Sequence, residues 1–159
     1  MARGHLYEIS TDRNELGNMD ESDFYDCLSA ISADYVQDVE GKEKEEKTAR
    51  FIGTMNGYGA ETGKTGDRGE SLMYFYVSDK VRQNYFRRRY EEFKSKVQKI
   101  EFSDFINNMF KIWEIKNLLH DTYNNAVYYN DAYMTVDTFL RAYAKDGERY
   151  YIGNVVFMH

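Results

Sequence analysis

Residues 149–158, Arg-Tyr-Tyr-Ile-Gly-Asn-Val-Val-Phe-Met, predict a β-strand because β-branched and aromatic side chains dominate the run. Gly153 in its interior indicates a β-bulge. Further strands are predicted near residues 5–10, which alternate in polarity, and near residues 72–77, whose dense apolar run is typical of a central strand. Strands near both ends and one in the middle favour an α+β fold over strict βαβ alternation.

Helical spacing of apolar residues accounts for much of the remaining chain. The predicted helix at residues 103–120 is apolar on most sides, so it is expected to be central or to be half of an interface. Its Trp113 is expected to be buried. Residues 34–39 could instead form a short strand, and residues 125–134 a short strand or a loop. The four helices are predicted near residues 22–36, 79–100, 103–120 and 135–145.

These elements predict one compact α+β domain over residues 1–159. Its small, mainly antiparallel sheet is expected to pack with about four helices. The composition, with 42 % hydrophobic and 16 % aromatic residues, excludes general disorder. The absence of proline fits a domain without a hinge segment.

A glycine-rich segment, residues 53–69, holds six glycines in 17 residues and predicts a flexible loop. Within it, Gly59-Ala-Glu-Thr-Gly63-Lys64-Thr65 shares its Gly-Lys-Thr ending with a phosphate-binding loop. That motif requires four residues between its glycines, and here there are three. The spacing therefore favours a flexible loop over a nucleotide site.

Charge is strongly segregated along the chain. Residues 20–46 hold ten acids and two lysines, a local net charge of −8, whereas residues 80–100 hold eight bases and two acids, a local net charge of +6. Such blocks steer charged partners without identifying a chemistry. The candidate partner-binding residues in these blocks are Asp34, Asp38, Glu43, Glu45, Glu46, Arg87, Arg88 and Arg89.

The sequence predicts no catalytic residues, no metal ligands and no cofactor. His5, His120 and His159 lack metal-ligand spacing, and the single Cys27 favours a reducing compartment. No secretory leader or long apolar run is found, so a cytoplasmic protein that does not bind membranes is expected.

Two classes of function remain. The first is a non-catalytic interaction protein that binds a macromolecular partner, expected to be a basic protein, through segregated charged and Tyr-rich surfaces. Its narrower form is an acidic inhibitor or nucleic-acid mimic acting on a basic protein groove. Nucleic acid could instead bind the basic helix at residues 80–99, and a homo-oligomer is compatible with the pattern. The alternative class is a small nucleotide- or phosphate-binding protein or enzyme that uses the 57–65 segment and Arg87–Arg89.

Overall fold

The last strand of the chain is the centre of a seven-stranded mixed sheet. The computed structural model describes residues 4–29, 31, 33–66, 71–120 and 125–159, and the description below applies to these. The strands are β1 Gly4–Ser10, β2 Val36–Val39, β3 Thr62–Lys64, β4 Met73–Tyr76, β5 Ala126–Tyr129, β6 Ala132–Thr135 and β7 Arg149–Met158.

Strand β7 is long enough to use both of its edges. One edge pairs antiparallel with β1, while the other pairs with β4 at residues 149–151 and with β2 at residues 155–158. The spatial order is β3-β4-β7-β1-β5-β6, with β2 also beside β7. Among the strand pairings of the described residues, only β1–β5 is parallel, so the sheet is mainly antiparallel as expected.

Helices cover the sheet and extend beyond it. Helix α2 begins where the Ser78 side chain accepts a hydrogen bond from the Val81 amide, a standard N-cap. The helices are α1 Gly41–Gly57, α2 Asp79–Gln98, α3 Phe102–Asn107, α4 Met109–His120 and α5 Val136–Thr138, which continues as a π-helical turn, Phe139–Tyr143. Two 3₁₀ helices, Arg13–Glu15 and Glu21–Cys27, lie between β1 and β2.

Both faces of the sheet are buried. On one face α1, α2 and the segment around α5 cover a large aromatic core that includes Tyr7, Phe75 and Tyr150. On the other face, the 3₁₀ segment before β2 contributes Phe24 to a smaller core. Burial on two sides stabilises the sheet through removal of apolar surface from water.

The fold class is the expected one, but several elements differ from the predictions. The sheet is larger than predicted, because β2, β3, β5 and β6 also join it. The predicted helix at 22–36 is instead the 3₁₀ helix Glu21–Cys27, and the last residue of the prediction, Val36, begins β2. Phe24 and Ile31 both pack in the smaller core, although no continuous helix joins them. Their spacing therefore reflected burial in the same core and not a helix.

The glycine-rich segment is not one irregular loop over its described part. Residues 53–57 form the last turn of α1, and Thr62–Lys64 form β3. Phe51 and Met55 are buried one helical turn apart, so their packing extends the helix through Gly53 despite the low helix propensity of glycine. Residues 67–69 of this prediction lie outside the described residues.

Candidate interaction surfaces

The predicted helix at 103–120 is two helices, and most of its large apolar side chains are exposed. Asn108 leaves helical geometry with φ −133° and ψ 68°, which separates α3 from α4. The prediction that Trp113 is buried is wrong, since it is 46 % exposed. None of these side chains belongs to either core of the sheet. We define the apolar face of α3 and α4 as Phe102, Phe105, Ile106, Met109, Phe110 and Trp113.

The members of the apolar face follow helical spacing. Phe102, Phe105 and Ile106 share one side of α3, and Met109, Phe110 and Trp113 share one side of α4. The rings of Phe110 and Trp113 stack with centroids 5.8 Å apart. The face is therefore an ordered aromatic surface on two successive helices.

Two polar contacts attach helix α4 to α2. The Arg89 guanidinium donates to the backbone carbonyl of Leu118, and Lys96 lies 3.7 Å from the Glu114 carboxylate. Within the segment, Lys111 Nζ lies 3.0 Å from Asp104 Oδ2 and so joins α4 to α3. These contacts hold the two helices against α2 while their apolar face remains open.

Arg89 also anchors α2 to α5. Its Nε lies 3.0 Å from Asp137 Oδ2, and the Tyr85 hydroxyl donates to Oδ1 of the same carboxylate. The side chains of Arg89 and Asp137 are both largely buried. Because its donors are directed at internal acceptors, Arg89 does not present its charge to a partner in the way that Arg87 and Arg88 do.

The three consecutive arginines, Arg87–Arg89, therefore have different environments in the fold. Arg87 and Arg88 are exposed, and the Arg88 guanidinium lies 5.1 Å from the centre of the Tyr58 ring, a cation–π contact. The Asn84 amide donates to the Tyr58 carbonyl at 2.9 Å. The turn after α1 thus touches the basic helix, but the element that follows this turn in the chain is β3, whereas a phosphate-binding loop opens a helix.

The acidic block gathers where the 3₁₀ helix Glu21–Cys27 meets β2. The Glu21 amide donates to Asp38 Oδ1 at 2.9 Å, and the Asp38 amide donates to Glu21 Oε2 at 3.2 Å. Burial raises the pKa of Asp38, and the charges of Glu21, Asp20 and Glu40 raise it further. The acids are thus neighbours in the fold as well as in the sequence.

The other predicted acidic residues are more exposed than Asp38. Glu43, Glu45 and Glu46 project from α1, where Lys47 lies 3.9 Å from Glu43 and Lys42 lies 3.8 Å from Glu46. Such exposed pairs one helical turn apart contribute little to stability.

Asp34 is also exposed, on the residues that precede β2. Its amide donates to the His159 carbonyl at 2.6 Å, which ties this stretch to the end of the chain. The carboxylates of Asp34 and of the α1 glutamates are therefore available to a partner, whereas that of Asp38 is engaged with Glu21.

A buried carboxylate that the sequence analysis missed organises the centre of the sheet. Glu8 is 4 % exposed and accepts hydrogen bonds of 2.8 to 3.2 Å from four backbone amides. The sequence pattern that could have revealed Glu8 is its position two residues after Leu6, on the same side of the predicted strand β1 as this apolar residue. The four donors are the amides of Gly17, Asn18, Met19 and Asn154.

The predicted β-bulge at Gly153 is part of the same arrangement. The pairing of β1 and β7 shifts register between Tyr7 and Ile9, which places Glu8 opposite Gly153 and Asn154. A Cβ atom on Gly153 would collide with the Glu8 carboxylate, so only glycine fits this approach. The bulge therefore directs the Asn154 amide at Glu8, and the arrangement is structural.

A polar cleft of about 540 Å³ lies beside Glu8, lined also by Glu15, Asp23 and Asp131. Over the described residues, no group of three or more His, Cys, Asp or Glu side chains is placed to hold a metal ion. The helices described include none long and apolar enough to cross a membrane.

Comparison with known proteins does not add to this description. No protein-family model matches the chain, and neither the search of curated proteins nor the search of solved structures returned a significant match.

Proposed function

We propose that this protein is a non-catalytic interaction protein that binds a macromolecular partner through the apolar face of α3 and α4. The observation that carries the proposal is that six large apolar side chains, all outside the two cores of the sheet, are 46 % to 81 % exposed. Clusters of large exposed apolar side chains mark binding surfaces, because their exposure to water is otherwise unfavourable.

The composition of the face supports this function. Aromatic residues and Met are enriched in the buried centres of protein interfaces, where charged residues are depleted. The face contains four aromatic side chains and one Met, and charged groups such as Lys96 and Lys111 lie around it in ion pairs. An apolar centre with a paired charged rim is the usual anatomy of such an interface.

A second candidate function uses the acidic surface to bind a basic protein groove, as an acidic inhibitor or nucleic-acid mimic does. Its support is the convergence of Glu21, Asp38 and Glu40, together with the exposed glutamates of α1. Docking of this kind is electrostatic, so it weakens as salt screens the charges. Binding through the apolar face resists salt, because burial of apolar surface provides most of its energy.

Affinity capture from the native lysate, at low and high salt, tests the proposal. The bait is the tagged 159-residue chain, with Phe105→Ser/Phe110→Ser as the apolar-face variant. Tyr143→Ser is the matched control, because Tyr143 is an exposed aromatic residue outside the face. We expect the wild type and the control to retain the partner at high salt and the apolar-face variant to lose it.

Acid reversal separates the two candidates. The variant replaces the exposed carboxylates and leaves Asp38 unchanged, because Asp38 holds the Glu21 segment against β2. If this variant loses the partner while Phe105→Ser/Phe110→Ser retains it, the acidic-surface function replaces the one proposed. The four reversed residues are Asp34, Glu43, Glu45 and Glu46, each changed to Lys.

A further inference from the structure

The occupant of the apolar face can be inferred from its size and its charge. We propose that a second copy of this chain covers it, in a two-fold symmetric dimer. The inference rests on the proposed function, because it names the partner of the same face.

The area of the face fits one half of a dimer interface. Since a Phe or Trp side chain presents about 150–250 Å², the six residues expose on the order of 750 Å² at their observed exposures. The largest apolar patch on a typical monomer is about 300–600 Å². Each partner of a standard-size interface buries about 800 Å², so mutual burial of two copies of this face reaches the area of such an interface.

The charge around the face favours a second copy over a strongly charged partner. Residues 90–120 have a formal net charge of zero, so the remainder of the chain carries the whole net charge of −6. Two copies that meet through this neutral part do not bring their acidic blocks into the contact, where like charges would be costly. The region holds Lys94, Lys96, Lys99, Lys111 and Lys116 against Glu91, Glu92, Glu101, Asp104 and Glu114.

Ion pairs within the chain already neutralise part of this rim. Lys96 pairs with Glu114, and Lys111 pairs with Asp104. The rim therefore does not require opposite charges from a partner. A partner that is selected by its charge binds a surface with an excess of the opposite charge. The acidic block at residues 20–46 is such a surface, whereas the surroundings of the apolar face are not.

The shape of the face is compatible with self-pairing. In a two-fold dimer the same patch is used on both subunits, so it must be complementary to itself. A surface of aromatic rings meets this condition, because rings pack in offset or edge-to-face arrangements against other rings. Phe110 and Trp113, already stacked on each other, provide two such rings on α4.

Sedimentation velocity of the purified 159-residue chain, from low micromolar to several hundred micromolar, tests the inference. We expect the mass to rise toward twice the 18.8 kDa of one chain. The Phe105→Glu/Phe110→Glu variant should remain at the mass of one chain throughout, and Ile106→Glu serves as a second disrupting variant. Tyr143→Glu, which places the same charge on a comparably exposed aromatic position, should behave as the wild type.

Trp113 provides a second readout, because it is the only tryptophan in the chain and lies on the face. Its emission should shift to shorter wavelength as the protein concentration rises, and the shift should be lost in both Glu variants of the face. Far-UV circular dichroism of each variant at low concentration verifies that the fold is retained.

The outcomes distinguish the dimer from the proposed function. A wild type that stays at the mass of one chain at every concentration, or Glu variants that dimerise as it does, would overturn the dimer. If the wild type is monomeric and the apolar-face variant still loses a captured protein of another sequence, the proposed function stands with a different partner. If neither dimer nor capture depends on the face, both proposals fail.

Discussion

The same residue types have opposite environments in two regions of this protein. In the sheet region, Phe75 is fully buried, and its ring stacks on Tyr150 with centroids 5.8 Å apart. In the α3–α4 segment, residues 102–120, Phe105 and Phe110 are each 64 % exposed. A count of apolar residues therefore does not show which region forms the core. What decides is whether an element has a sheet face to cover.

The two regions are also held together by different forces. Packing of apolar side chains on both faces stabilises the sheet region, with Glu8 as a buried polar centre. The α3–α4 segment is attached to α2 by Arg89 and by ion pairs such as Lys96–Glu114. Substitutions in the sheet region should therefore affect global unfolding, and substitutions in the segment should affect its attachment or its binding.

The largest effect is expected for Phe75→Ala. The side chain lies between the rings of Phe51 and Tyr150, so its removal leaves a cavity as well as losing buried surface. Phe→Ala substitutions in cores cost about 3–5 kcal/mol in unfolding free energy. Urea denaturation followed by circular dichroism measures this, and Phe75→Leu is the smaller-cavity control. A loss below that of Phe75→Leu would contradict the assignment of this residue to the core.

A somewhat smaller effect is expected for Arg89→Ala, which removes one of the contacts between the two regions. The substitution leaves the buried Asp137 carboxylate without its ion pair, and breaking such a pair typically costs about 3 kcal/mol or more. It also removes a donor from the Leu118 carbonyl of α4. Amide hydrogen exchange should accelerate in α4 more than in β7.

Arg87→Ala is the matched control for Arg89, because Arg87 is its exposed neighbour on α2. Surface substitutions of this kind usually change stability by less than about 0.5 kcal/mol. Equal effects of the two substitutions on unfolding and on α4 exchange would show that Arg89 does not join the regions.

The sequence predicted the sheet region better than the α3–α4 segment, and the reason is physical. The spacing of apolar residues indicates that a helix has a buried side, but it does not say whether this chain or another one covers that side. Strand β7 was predicted with its bulge because six of its ten residues are β-branched or aromatic and Gly153 interrupts them. Trp113 was misplaced because its helical pattern is the same for a core and for an interface.

The short strands were the hardest part of the sheet to predict. β3 spans only Thr62–Lys64 and is held by its pairing with β4, which depends on the tertiary fold rather than on local propensity. The hairpin of β5 and β6 depends on Asn130 and Asp131, which both adopt positive φ in a two-residue turn. Asn and Asp tolerate this conformation, but the dipeptide is a weaker signal than Asn-Gly.

An intermediate effect is expected at the buried carboxylate of the sheet region. Glu8→Gln replaces an acceptor of four amide hydrogen bonds with a group that carries two donors of its own. Leaving a buried donor unsatisfied costs about 1–3 kcal/mol, so we expect a loss of roughly 2 kcal/mol in unfolding free energy.

Gly153→Ala tests the same arrangement from the opposite strand. Its new Cβ would force the Glu8 carboxylate away from the bulge, so the loss should be similar in size. If Glu8→Gln and Gly153→Ala are each destabilising but not additive when combined, the two residues act as one unit. Thermal or urea denaturation of the two single variants and the double variant measures this.

A pH effect is expected within the α3–α4 segment. Hydrogen bonding from the Glu101 amide lowers the pKa of Asp104, and the hydrogen bond from Lys111 lowers it further. Because this pKa is lower in the folded state than in the unfolded state, the contribution to stability is present above the unfolded value. It is lost as the pH falls through the folded value, which lies below the ordinary pKa of an aspartate carboxyl.

Asp104→Asn reproduces the protonated form at neutral pH. We expect faster amide exchange in α3 for this variant, with the exchange of β7 unchanged, because the Glu101 cap and the Lys111 pair both belong to the segment. The effect on global unfolding should be smaller than that of Glu8→Gln. Accelerated exchange of β7 at neutral pH would show that the segment and the sheet unfold together.

The smallest effect on unfolding is expected for Phe105→Ala, the same substitution as Phe75→Ala moved to the apolar face. The side chain is 64 % exposed and belongs to neither core, so at low protein concentration the change should be within about 0.5 kcal/mol. A loss of several kcal/mol there would show that the face is covered within one chain.

The same variant connects stability to self-association. Because dimerisation stabilises only the folded chain, wild-type stability should rise with protein concentration, whereas that of Phe105→Ala should rise less. The difference between the two proteins should therefore grow as the concentration is raised, and the difference between the wild type and Phe75→Ala should change much less. Urea denaturation at a low and a high concentration of each protein measures both differences. If the difference in unfolding free energy between the wild type and Phe105→Ala stays constant with concentration, the exposed face has no role in association.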